Sequence, residues 1–165
     1  RCVYKNVQFK MQIMSKAKIV NIPFMKYYAA ASGYSGQLTH FEDKIVSGEK
    51  ITTIRKSYDY WSSRIDSAQQ SPDSIYKLSL WSDKPYISKQ FQAQIGNANE
   101  VWYLPINFKK FNDDILIIDG NEFPLELVAK WDGLTEEIFR DWFKSFVEDD
   151  KPSIVIGWDV NIYIK

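Results

Sequence analysis

The chain has 165 residues, 45% apolar and 25% charged, with 21 lysines and arginines balancing 21 aspartates and glutamates, which predicts one globular domain. A single cysteine, Cys2, excludes an internal disulfide framework and a cysteine-based zinc site, and the lone His40 excludes a histidine cluster. No apolar run reaches the ~18 residues of a membrane span, and no cofactor or metal is implied.

The zero net charge is unevenly spread. Arg1 to Phe41 carries no acid but holds Arg1, Lys5, Lys10, Lys16, Lys18 and Lys26. Asn112 to Asp150 holds twelve acids against Lys130, Arg140 and Lys144. Residues 1–16 are expected to be a poorly ordered basic leader, and 17–165 a single domain. "KIVNIPFMKYYAAAS" has a signal-peptide outline, but Asn21, Pro23 and Lys26 interrupt its apolar stretch; a cytoplasmic protein is expected.

In chain order, Lys18 to Phe24 reads as a first strand. A helix is expected from Thr39, with Glu42 completing a capping box and Gly48 ending it. "KITTIR" is β-branched and reads as a strand, and "YDYWSSRIDSAQQ" as a short helix in which Trp61 and Ile65 face inward and Tyr58 outward. "IYKLSLW" and "YISKQFQAQI" alternate with period two and are joined by "SDKP", predicting a hairpin. "EVWYLPINF" and "DILIIDGNEFPLEL" continue the β pattern, with a tight turn at Asp119-Gly120. Asp113-Asp114 reads as a turn. Thr135 caps a helix whose Ile138, Phe139, Trp142, Phe143 and Phe146 form an apolar stripe, read as core. "SIVIGWDVNIYIK" predicts a closing strand with one buried face. The sum is an α+β fold, mostly antiparallel, that curls toward a barrel with two or three helices over its openings.

Chemistry concentrates in "SGEKITTIRKSYDYW", where Lys50, Thr52, Thr53, Arg55 and Lys56 fall within seven residues. Thr53 and Arg55 share a strand face. Strict alternation puts Lys50 on the other face, unless the strand begins after it or is bulged. Arg55 offers a planar fork of donors suited to phosphate or a base edge, and Lys50 and Lys56 offer point charges. Trp81, Lys84 and Tyr86 fit a stacking and phosphate-contact lip for a splayed base. Each has a plainer alternative: a solvated basic strand, an ordinary strand threonine at Thr53, a core tryptophan at Trp81, a hairpin turn at Lys84 and Tyr86.

"FEDKIVSGEKITTIR" resembles the signature of the ASCH family, in the PUA-like superfamily, where a helix leads into a G-x-K-x-x-T-x-R strand; Gly48, Lys50, Thr53 and Arg55 stand in that register. "LELVAKWDGLTEEIFRDWF" resembles the family's later segment of strand, acidic residue, "GLT"-like cap and helix. "LSLWSDKPYISKQ" resembles a W-x-G-K-P-Y-x-S-x-Q run of bacterial and phage ASCH-like proteins, with Asp83 where that run has Gly. The likeness covers about residues 36–165 and implies a PUA-like barrel and an RNA or modified-nucleoside ligand. It also implies an amidohydrolase of acetylated cytidine, or a ribonuclease. In the amidohydrolase Thr53 would be the nucleophile, Lys50 its base and Asp132 the carboxylate; the plainer reading of Asp132 is a turn residue before Gly133. Asp132 replaces a Glu and shortens its reach by one methylene, where ~1 Å of misplacement can cost ~100-fold in rate. A structural or partner-binding role in a phage or mobile-element assembly would need none of these groups. The oligomeric state stays open.

Overall fold

The computed structural model describes residues 16–29 and 32–158. The expected leader, apart from Lys16, and the end of the closing strand lie outside the described residues.

The first sheet has three strands, β1 (Ile19–Phe24), β3 (Ile75–Trp81) and β4 (Gln90–Asn97), ordered β1-β3-β4, with β1 parallel to β3. β2 (Thr52–Arg55), β8 (Ser153–Gly157), β5 (Trp102–Asn107), β6 (Ile115–Ile118) and β7 (Asn121–Pro124) form an antiparallel sheet ordered β2-β8-β5-β6-β7. Four α-helices accompany the sheets, α1 (Phe41–Val46), α2 (Tyr58–Gln69), α3 (Leu125–Trp131) and α4 (Glu136–Phe143), with short 3-10 turns at Ala98–Glu100, Phe111–Asp113 and Lys144–Phe146. The α+β class is as read from the sequence. No ladder among the described residues joins the two sheets.

Period-two patterning explains the first sheet. Val20, Ile22 and Phe24 of β1 alternate into the core, as do Tyr76, Leu78 and Leu80 of β3. Pro23 is tolerated because β1 is an edge strand, where a missing N–H breaks no ladder. β8 is different: all five residues are buried because it lies between β2 and β5 with both faces covered. One buried face was expected; a central strand has two.

Four other expectations change. The first helix begins at Phe41, not Thr39, and no Thr39–Glu42 capping box forms. The Thr39 hydroxyl instead donates to the carbonyls of Met25 and Lys26, tying the helix entry to the chain after β1. "LELVAKW" is helix α3 rather than strand, because Leu125, Val128 and Ala129 bury a face at helical spacing. The hairpin turn extends over residues 82–89, since β4 starts only at Gln90. On α2, Ile65 is wholly buried as expected. The exposed ring, however, is Tyr60; Tyr58 packs edge-on against Tyr103 at 5.9 Å. Thr135 caps α4 as read, accepting from the Ile138 N–H.

Candidate functional site

β2 starts at Thr52, so Lys50 lies ahead of the strand and escapes its alternation. Two turns of chain set it there. Gly48 takes φ +76° just past α1, and the Lys50 N–H then donates to the Lys44 carbonyl. The Lys50 side chain runs inward and is 1% exposed. Its Nζ donates to Asp132 Oδ1 at 2.9 Å, to the Asp132 carbonyl at 2.6 Å and to the Thr52 carbonyl at 3.0 Å. An ammonium has three protons, and all three have acceptors. The Phe41 ring lies 4.3 Å from the same nitrogen, a cation–π contact.

Asp132 arrives from the opposite side as the residue closing α3. Gly133 follows at φ +70°; its N–H donates to Lys130 and the Leu134 N–H to Ala129. These two bonds make a Schellman termination, which turns the chain sharply and swings the Asp132 carboxylate back under Lys50. A Cβ on Gly133 would come within 2.8 Å of Lys50 Cβ. Glycine there meets both the left-handed backbone and the close approach.

Arg55, two residues along β2 from Thr53, folds back to donate to the Thr53 hydroxyl at 2.7 Å, to the Ile54 carbonyl at 3.1 Å and to the Pro23 carbonyl at 2.8 Å. It thereby links β2 to β1 across the two sheets. Its remaining N–H donors have no partner among the described residues. Thr53 is buried, and its hydroxyl keeps its own proton to donate.

Burial governs the protonation of this cluster. Loss of water pulls Lys50 down to about 8; the Asp132 charge and hydrogen bond oppose this, while Arg55 and Lys44 reinforce it. Burial also raises Asp132, against the pull of Lys50 and Arg55. Tyr28 is raised by burial and by the Asp132 charge. At neutral pH Lys50 stays largely an ammonium, consistent with its three acceptors.

These groups open onto one cavity of about 770 Å³, lined from both sheets and from α2 and α4. Lys50, Thr53, Arg55, Lys56, Trp81, Tyr86 and Asp132 all line it. Lys84 does not; it stays exposed on the 82–89 turn. Lys56 is held by Asp149 at 3.0 Å. Trp81 and Tyr86 lie 5.5 Å apart at the rim, with Tyr86 88% exposed and in a left-handed backbone conformation, φ +66°. Several lining residues had no signal in the sequence. Trp142, in the stripe read as core, packs against the core and also lines the cavity, Arg64 reaches it from α2 with no carboxylate partner among the described residues, and Asn21 and Gln90 supply amides. Only the α2 spacing, which places Tyr60, Trp61 and Arg64 on adjoining turns, offered a hint.

Fold and site together define an α+β domain with a basic, aromatic-lined cavity over a buried lysine–aspartate pair. Comparison with protein-family models, with curated proteins and with solved structures finds no match to this chain. Among the described residues no group of three or more His, Cys, Asp or Glu is placed to hold a metal ion, and no helix is long and apolar enough to cross a membrane.

Proposed function

We propose that the chain is an ASCH-like domain that binds RNA or a modified nucleoside in this cavity. One observation carries the reading. Residues scattered from Lys50 to Asp132 converge on a single cavity that offers cations at its floor and rings at its rim. Flat rings suit a splayed base, and Arg55 and Arg64 suit the phosphates beside it. The register of Gly48, Lys50, Thr53 and Arg55 supports kinship with ASCH domains, and with it the PUA-like barrel and a cytoplasmic location.

A hydrolytic reading, with Thr53 as nucleophile, Lys50 as base and Asp132 as its partner, draws on the lowered Lys50 amine. The hydrogen bonds favour binding instead. Lys50 directs its protons to Asp132 and Thr52, and the Thr53 hydroxyl already accepts from Arg55. The test is binding of a fluorescent single-stranded RNA over a range of salt, with acetylcytidine incubated in parallel. Arg55→Ala and the exposed Arg64→Ala should each weaken binding and lower the salt slope by about 1, with acetylcytidine left intact. Unchanged binding in both variants would remove the cavity from the account. Acetate release lost in Thr53→Ala would establish the hydrolase.

A further inference from the structure

The three strands of the first sheet each send one polar side chain to the same place. The Ser79 hydroxyl, on β3 and wholly buried, donates to Asn21 Oδ1 at 2.6 Å. The Asn21 oxygen can only accept, so the direction of this bond is fixed. It turns the Asn21 amide nitrogen, on β1, toward β4. There Nδ2 donates to Gln90 Oε1 at 3.0 Å. Gln90 therefore has its oxygen engaged and its amide nitrogen turned away. That nitrogen has no hydrogen-bond partner among the described residues, and Gln90 lines the cavity. Trp81 is its neighbour across the β3–β4 ladder, with Tyr86 5.5 Å from Trp81.

We infer that Gln90 is the residue that selects the ligand's base, by donating to a carbonyl oxygen on the edge of a ring held against Trp81 and Tyr86. This rests on the reading of the cavity as a nucleoside site. Asn21 and Ser79 are positioning residues: without them the Gln90 amide is free to rotate and present either its oxygen or its nitrogen. With them it presents donors only. A ring bearing a carbonyl at the edge where cytidine carries its amine, as a keto group or as an acylated amine, completes the chain of hydrogen bonds. A ring bearing a free amine at that edge sets donor against donor, and leaving a buried donor unpaired costs more than one hydrogen bond contributes. The selection is made by a neutral amide, so it does not titrate with Lys50.

Calorimetric titration with uridine, cytidine and acetylcytidine separates the cases. The parent chain should bind uridine or acetylcytidine, which carry a carbonyl where cytidine carries its free amine, about fivefold or more tighter than cytidine. Preference for uridine identifies a ring keto group, and preference for acetylcytidine alone an acyl carbonyl. Gln90→Met should erase the ratio while retaining binding, Gln90→Glu should turn it toward cytidine, and Asn21→Leu should shrink it. Cytidine bound as tightly as the others by the parent, or a ratio unchanged in Gln90→Met and Gln90→Glu, overturns the inference and leaves the nucleoside site standing. A parent chain that binds none of the three overturns both.

Discussion

Two clusters of opposite charge sit at opposite extremes of burial. Lys50 and Asp132 meet at 2.9 Å with side chains 1% and 5% exposed. On α4, Arg140 pairs with Glu136 one turn away and with Asp114, and these side chains are 32%, 43% and 67% exposed. The chemistry is the same and the consequences differ. Water and salt screen the Arg140 cluster, so each such pair contributes ~0–1 kcal/mol. Burial withholds that screening from Lys50 and Asp132, and desolvation drives both partners toward their neutral forms. A pair kept under that penalty is weak evidence for stability and better evidence for a site.

Breaking each cluster measures the contrast. Asp132→Asn removes one charge and leaves the Lys50 ammonium buried, so a loss of about 3–5 kcal/mol is expected in urea unfolding at neutral pH. A loss near that of a surface pair would mean that Lys50 finds water. The second effect is a pH dependence. Lys50 titrates near 8 in the folded chain, below its ordinary 10.5. Between those values the unfolded chain holds a proton that the folded chain has released, so stability rises as pH rises through the window. The slope is at most about 1.4 kcal/mol per pH unit. Below 8 both states are protonated and the full charging penalty is present. A Lys50→Met/Asp132→Leu double variant, lacking both groups, should lose this slope; a parent and a double variant with parallel curves would contradict it. The smallest effect is Asp114→Asn, expected to cost under about 1 kcal/mol and to fade with salt.

Parts of this were legible in the sequence because their signals are local. Thr135 with the Phe139 and Phe143 stripe announced α4, and Gly48 announced the end of α1. Asp132 carried no such local signal: it was named only through the resemblance to ASCH domains, and the structure brings it to Lys50. What misled was competition between local signals. "LELVAKW" follows a strand and looks like another, yet Leu125, Val128 and Ala129 pack as a helix against the second sheet. Thr39 has the composition of a cap, but two nearby carbonyls take its hydroxyl. Trp142 belongs to a core-like stripe, and only the tertiary arrangement shows that its position opens on the cavity. The Asn21–Ser79–Gln90 relay joins residues up to 69 apart in the chain, and no periodicity marks such a meeting. Lys84 failed for a related reason: the turn is longer than its "SDKP" composition implied, and the side chain stays outside.

The six tryptophans divide evenly around the central claim. Trp61, Trp81 and Trp142 line the cavity, and Trp102, Trp131 and Trp158 do not. The most direct test is to follow the indole N–H resonances of ¹⁵N-labelled protein while titrating a short single-stranded RNA or a nucleoside. Movement of the Trp61, Trp81 and Trp142 signals with the other three still is the result the account predicts. Movement confined to Trp102, Trp131 or Trp158, or no movement at saturating ligand, would contradict it.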